Sequence, residues 1–216
     1  MPVPQRPLPI VMVVSHAGSH VRALIDAIRQ HSLTARLCAV ISNCPGSNGL
    51  AYAANAGIPA HVLDHRTFPS RVEFDRALDA LITLYTPELV ALAEFNRILT
   101  PEFVNRFRGR LLNVHPSLLP AFRGWHPIEQ ALAAKAAEHG ATVHFVTADV
   151  DSGPAVLQAR VPVLPDDTVE TLTARVREQE QRMLPEAVRW FAEGRLRWVD
   201  GQAWLDGQPL REPVRL

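Results

Sequence analysis

Short, largely apolar runs recur along this chain at residues 10–14, 37–41, 60–63, 88–93, 111–114 and 141–146. The first, Ile10-Val11-Met12-Val13-Val14, contains no polar residue and reads as a strand covered on both faces. Helical signatures fill the gaps. Val21, Leu24, Ile25 and Ile28 share one helical face, and a short helix over 48–56 ends at Gly57. Ser70 with Glu73 reads as a capping box opening a helix to about residue 84. Thr100-Pro101-Glu102 combines an N-cap with proline at the first helical position, and Gly109 closes that helix. Residues 125–139 read as mostly helical, and Asp167 with Glu170 caps the longest helix, which runs to about Ala192. Strands alternating with helices imply an α/β fold, with a mostly parallel sheet and helices on both faces. Residues 156–163, which include Pro162, suggest an edge strand. Two Asp-Gly turns, Asp200-Gly201 and Asp206-Gly207, suggest a small hairpin or strand pair in the tail. No repeat, linker or low-complexity segment divides residues 1–216, which read as a single domain.

Composition narrows the partners. Net charge is zero and the isoelectric point is about 7.1, so electrostatics gives no pull toward nucleic acid or an anionic membrane. Apolar residues make up 47% of the chain, enough for a full core. Cys38 and Cys44 form neither a CxxC pair nor a disulfide framework, so a reducing cytoplasm is expected. Residues 1–9 are Pro-rich and polar, unlike a signal peptide, and no apolar run reaches membrane-spanning length.

In sheets of this kind ligands bind beyond the C-terminal ends of the strands, which draws together the loops after Val14, Leu92, Val114 and Val146. Asn113 and His115 are two apart at one such end, so both can face one space. Pro116 and Pro120 then stop the strand. An imidazole beside a neutral donor suits acyl-type chemistry, in which one group moves a proton and the other stabilises an oxyanion. The same two residues could instead only satisfy the strand's last backbone groups. The loop Ser15-His16-Ala17-Gly18-Ser19-His20 could seat an anion at a helix N-terminus, or be a plain turn capped by Ser19. His16 and His20, four apart, suggest no third metal ligand nearby. Residues 91–99 mix apolar and amide groups suited to a flat heterocycle, with Arg97 suited to a carboxylate or carbonyl. Asp151, before Ser152-Gly153-Pro154, reads either as an Asx turn or as the carboxylate that orients His115.

Asn113-Val114-His115-Pro116-Ser117-Leu118-Leu119-Pro120, together with Asp151-Ser152-Gly153-Pro154, resembles the folate-dependent formyltransferases, and the likeness extends over nearly the whole chain. It implies a Rossmann-like sheet of the formyltransferase type. It implies an enzyme that moves a formyl group from 10-formyltetrahydrofolate to an amine, as in the purine-pathway branch that formylates glycinamide ribonucleotide. Asn113, His115 and Asp151 match the family's catalytic residues. Arg97, Leu99, Leu111, Val146, Thr147 and Val150 match its folate pocket, with Arg71 near the glutamate tail. The expected acceptor residues are Gly18, Ser19, His20, Glu94, Asn96 and Pro116, with Arg177 and Glu180 on the ribose side. No metal is implied. Partners are expected to be the small-molecule amine and folate, the chain acting as a monomer or homodimer.

The ligand-facing loops depart from the family pattern. His16 and His20 stand where the family has glycine and asparagine, Glu94 and Asn96 replace glycine and an apolar residue, and Phe122-Arg123-Gly124-Trp125-His126 is altered. These departures raise the expectation of a different acceptor, such as a hydroxyornithine-like amine or an amino sugar. Further alternatives are a formyl-folate hydrolase and a non-catalytic folate binder.

Overall fold

All seven residues from Leu8 to Val14 are buried, and alternate side chains feed two separate cores. Ile10, Met12 and Val14 pack with Leu24, Val176 and Leu184, whereas Val11 and Val13 pack with Ile41, Phe74, Leu78 and Phe103. A strand serving both faces must lie inside a sheet covered on both sides. The structure, a computed structural model, describes residues 6–16 and 18–216. Residues 1–5, the start of the Pro-rich N-terminal stretch, and Ala17 of the first loop lie outside the described residues.

The elements follow in the order β1 (Leu8–Val14), α1 (Ser19–Arg29), β2 (Ala35–Ser42), α2 (Asn48–Asn55), β3 (Ala60–Val62), α3 (Arg71–Thr83), β4 (Leu89–Ala93), α4 (Pro101–Arg106) and β5 (Leu111–His115). Then come α5 (Pro127–Ala133), β6 (Glu138–Phe145), β7 (Ala155–Pro162), α6 (Val169–Ala192), β8 (Leu196–Val199), β9 (Gln202–Leu205), β10 (Gln208–Pro209) and β11 (Val214–Arg215). The main sheet has the order β11-β7-β6-β5-β4-β1-β2-β3. Pairing is parallel from β3 through β5, antiparallel for β5–β6 and β6–β7, and parallel again for β7–β11. The mostly parallel α/β sheet expected from the sequence is therefore present. Helices α1 and α6 cover one face, α3 and α4 the other.

Four local expectations need correction. The helix expected over 125–139 stops at Ala133, and Glu138 already pairs with Pro162 in a strand. A Cβ at Gly140 would lie 1.9 Å from the Ala159 carbonyl oxygen, so the two backbones press together and pairing overrides the helix propensity of the Ala-rich run. β7 is not an edge strand, because the tail returns and β11 pairs with Leu157 and Gln158. The cap of α6 is Thr168, whose hydroxyl accepts from Thr171 N while the Thr171 hydroxyl accepts from Thr168 N. Asp167 instead pairs with Arg175 at 2.7 Å, which holds its carboxyl far below the usual range. The tail forms three strands, β10-β9-β8, where a single strand pair was expected. Asp200, Gly201, Asp206 and Gly207 all have positive φ, as the tight turns between them demand.

The caps at Ser70 and Thr100 form as read, Ser70 accepting from Glu73 N and Thr100 from Phe103 N. Thr100 also helps to hold α4 against the sheet: its own N–H donates to the buried Asp75 carboxylate at 2.6 Å.

Candidate active site

The antiparallel register of β5 and β6 sets Asn113 opposite His144 and His115 opposite Thr142. Leu112 and Val114 fill the α1/α6 core and Leu111 fills the other, so alternation carries Asn113 and His115 to the Leu111 face. Asn113 Nδ2 lies 3.1 Å from His144 Nε2. His144 Nδ1 lies 2.9 Å from the Phe145 carbonyl oxygen. A carbonyl can only accept, so Nδ1 carries the proton and Nε2 the lone pair. Asn113 is therefore the donor, which fixes the orientation of its amide. Burial pushes His144 down to about 4, against the raising influence of Asp151, so the ring is neutral near pH 7 and able to accept.

Asp151 follows β6 with φ +48°, a conformation that aspartate tolerates better than most residues. Its Oδ2 lies 3.5 Å from His115 Nδ1 and accepts from Gly124 N at 2.9 Å. Its Oδ1 lies 3.7 Å from His144 Nε2. His115 Nε2 donates to the Phe122 carbonyl at 3.1 Å. That leaves Nδ1, beside the carboxylate, as the basic atom of the ring.

Buried polar groups hold these loops in place. Thr142 Oγ1 donates to Ser117 O at 2.6 Å and accepts from Leu119 N at 3.1 Å, and Gln158 Nε2 donates to Leu119 O at 2.7 Å. They lock the turn after β5 onto β6 and β7. Ser15 Oγ donates to Asn43 Oδ1 at 2.7 Å and accepts from Asn96 N at 2.9 Å, joining the loops after β1, β2 and β4. A Cβ at Gly153 would sit 1.8 Å from the Phe145 oxygen, so only glycine lets the Asp151 turn close over the end of β6.

The loops meet around a cavity of about 500 Å³. Part of its wall is apolar, with Leu92, Leu99, Val104 and Val146; part is charged, with Glu94, Arg177 and Glu180. Asn113, His115 and Asp151 all line it. Of the expected folate residues, Arg97, Leu99, Val146, Thr147 and Val150 line it too. Leu111 is fully buried in the core and Arg71 is exposed at the first turn of α3; neither is in the cavity wall. The Arg97 guanidinium stacks 5.0 Å over Phe74, and its buried Nε has no hydrogen-bond partner among the described residues. An unspent donor beside an apolar wall fits a flat heterocycle that carries acceptor atoms.

Of the expected acceptor residues, Glu94, Asn96, Pro116, Arg177 and Glu180 line the cavity, whereas Gly18, Ser19 and His20 do not. Gly18, not Ser19, is the N-cap of α1, and it is packed on α2: a Cβ there would meet Tyr52 at 2.4 Å. His20 is buried, its Nε2 3.5 Å from Glu180 Oε2. Burial pulls the His20 pKa down, but the Glu180 bond and the charges of Glu180 and Glu94 outweigh it and leave the ring raised. His16 does line the cavity and lies 3.9 Å from Cys44 Sγ, so the two histidines face different partners. Among the described residues no group of three or more His, Cys, Asp or Glu side chains is placed to hold a metal ion. Glu94 is not an unmatched acid at the rim, since Arg177 Nε lies 3.0 Å from its Oε1. His144, Thr142 and Gln158 were not singled out from the sequence. The available signal was that polar residues in a buried strand need partners.

An amide donor, an imidazole and a carboxylate around one cavity at the end of a sheet are groups of the kind that acyl-type transfer through an oxyanion uses. The chain belongs to the formyl transferase family, whose sequence pattern it matches over residues 8–188. It is 47% identical over 201 residues to the phosphoribosylglycinamide formyltransferase of Escherichia coli (strain K12), which covers 93% of this chain and 95% of that protein. The solved phosphoribosylglycinamide formyltransferase of Coxiella burnetii is 45% identical, with a TM-score of 0.90 over 96% of this chain and 99% of that one. Glycinamide ribonucleotide transformylase 1 of Symbiobacterium toebii is 40% identical, also at a TM-score of 0.90, over 95% and 97% of the two chains.

Proposed function

We propose that this enzyme, which transfers a formyl group from 10-formyltetrahydrofolate to an amine, takes phosphoribosylglycinamide as its acceptor. The observation that carries this reading is the near full-length likeness to relatives named for that acceptor, with 47% identity to one of them. Of the departures that suggested another amine, the acidic Glu94 loses the most direct part of its argument in the fold. Glu94 is matched by Arg177, so it is not a free carboxylate offered to a cationic acceptor.

In the proposed reaction the acceptor's neutral amine adds to the formyl carbon. Asn113 gives His144 one amide N–H and donates the other to the formyl oxygen as it gains charge. His115 takes the amine proton at Nδ1, and the resulting cation is held by Asp151. The proton then passes to the folate nitrogen, which leaves with the bonding pair. The apolar wall at Leu99 and Val146, with Arg97, receives the folate ring; Arg177 and Glu180 receive the acceptor. The chain works as a monomer or homodimer on small molecules, without nucleic acid. We place it in the cytoplasm, a compartment that suits its free cysteines, Cys38 and Cys44.

Steady-state assays with phosphoribosylglycinamide and 10-formyltetrahydrofolate test the reading. Efficient formylation is expected. Failure with this acceptor alongside turnover of another amine, or release of formate with no amine present, overturns it.

A further inference from the structure

Glu94 sits where an L-residue is strained. It follows β4 with φ +49°, a left-handed conformation that costs a residue bearing a Cβ roughly 1 kcal/mol. Its backbone is committed there, because its carbonyl accepts from Ser15 N at 3.2 Å and fastens the loop after β1 to the loop after β4. The side chain crosses to α6, where Oε1 meets Arg177 Nε at 3.0 Å. One helical turn further along α6, Glu180 meets the buried His20 at 3.5 Å. Charges thus alternate in sign through Glu94, Arg177 and Glu180, and all three line the cavity.

A phosphate-bearing acceptor entering this wall meets a guanidinium already engaged, flanked by two carboxylates. The pair is partly exposed, its side chains retaining 41% and 20% of their accessible surface, so solvent screens it and a dianion can open it. Opening it nevertheless costs part of the binding. We propose that Glu94 is a specificity-determining residue: it competes with the acceptor's anionic group for Arg177 and so weakens recognition of phosphate-bearing amines. This rests on the reading that phosphoribosylglycinamide binds along α6.

Glu94→Gln keeps the side chain's size and the backbone strain but removes the charge, whereas Glu94→Gly removes both. The acceptor KM is expected to fall about fivefold in each, by more than any change in kcat or in the donor KM. In an Arg177→Gln background, where the acceptor KM is already raised, the fall should disappear. An acceptor KM that drops only in Glu94→Gly overturns the proposal, because backbone relief would then be the cause. So does an unchanged or higher KM in Glu94→Gln, or an equal fall without Arg177. Calorimetry with ribose 5-phosphate separates this from the acceptor assignment. If phosphoribosylglycinamide is not turned over but Glu94→Gln still tightens ribose 5-phosphate about fivefold, the competition stands and the assignment fails. No tightening sinks the competition as well.

Discussion

An asparagine amide has two N–H groups, and here His144 takes one of them. What remains is a single donor whose direction is set by a neighbour that cannot rotate, since His144 is itself pinned to the Phe145 carbonyl. Preorganised donors of this kind are worth most where charge develops during the reaction. Asn113→Ala should therefore lower kcat by roughly 10²- to 10³-fold, measured in steady state with saturating substrates. A loss below about tenfold would mean that the oxyanion is stabilised elsewhere. Asp151→Asn tests the other half of the site. It keeps an oxygen that can accept from Gly124 N, but it removes the charge proposed to hold a His115 cation. A fall in kcat of about 10²-fold is expected, whereas an unchanged rate would show that His115 does not become charged during turnover.

At the scale of elements, motif residues were legible because their chemistry is local. Asn113 and His115 lie near the end of β5 and Asp151 in the turn after β6, and the Thr100-Pro101 cap declares itself in two residues. Features that depend on distant partners were not legible. The ion pair of Glu94 and Arg177 spans 83 positions, the short α5 is cut off by pairing of Glu138 with Pro162, and β11 returns from the tail to β7. His144 falls between these cases: it was visible as a polar residue in a buried run, but its partner follows only from the antiparallel register. Gly153 shows an element depending on one missing methyl. With a Cβ the Asp151 turn would collide with the Phe145 oxygen at 1.8 Å. Gly153→Ala should destabilise the fold by about 1–3 kcal/mol and also lower kcat by moving Asp151. Denaturant midpoints and turnover report the two effects separately, and a variant with normal kcat would show that the turn can relax without shifting the carboxylate.

For the whole molecule, buried histidines pull the pH dependence of stability in opposite directions: burial lowers His144 and His139, whereas His20 is raised. His144 is held at about 4 against an ordinary value of 6.5, so between those values the unfolded chain binds a proton that the folded chain refuses. Its contribution is complete above pH 6.5 and drains away as the pH falls toward 4, by up to about 3 kcal/mol. His20 is raised, so its contribution is complete below pH 6.5 and is lost as the pH rises through its folded value. Asp64, held at about 2 by its hydrogen bonds from Arg66, responds only at still lower pH. The melting temperature should therefore fall by roughly 6–12 °C between pH 6.5 and 4. His144→Asn, which stays neutral and can still accept from Asn113, should make that acid limb shallower and leave the part due to His139, and His20→Asn should flatten the alkaline one. An acid limb that persists unchanged in His144→Asn would mean that the folded ring takes up its proton as freely as the unfolded one. The lone pair that orients Asn113 would then be absent under mildly acidic conditions. A protonated His144 points an N–H at Asp151 and can no longer accept from the amide, but the folded ring stays neutral down to about pH 4, so activity lost through His144 should lag behind the loss of stability and set in only near that pH.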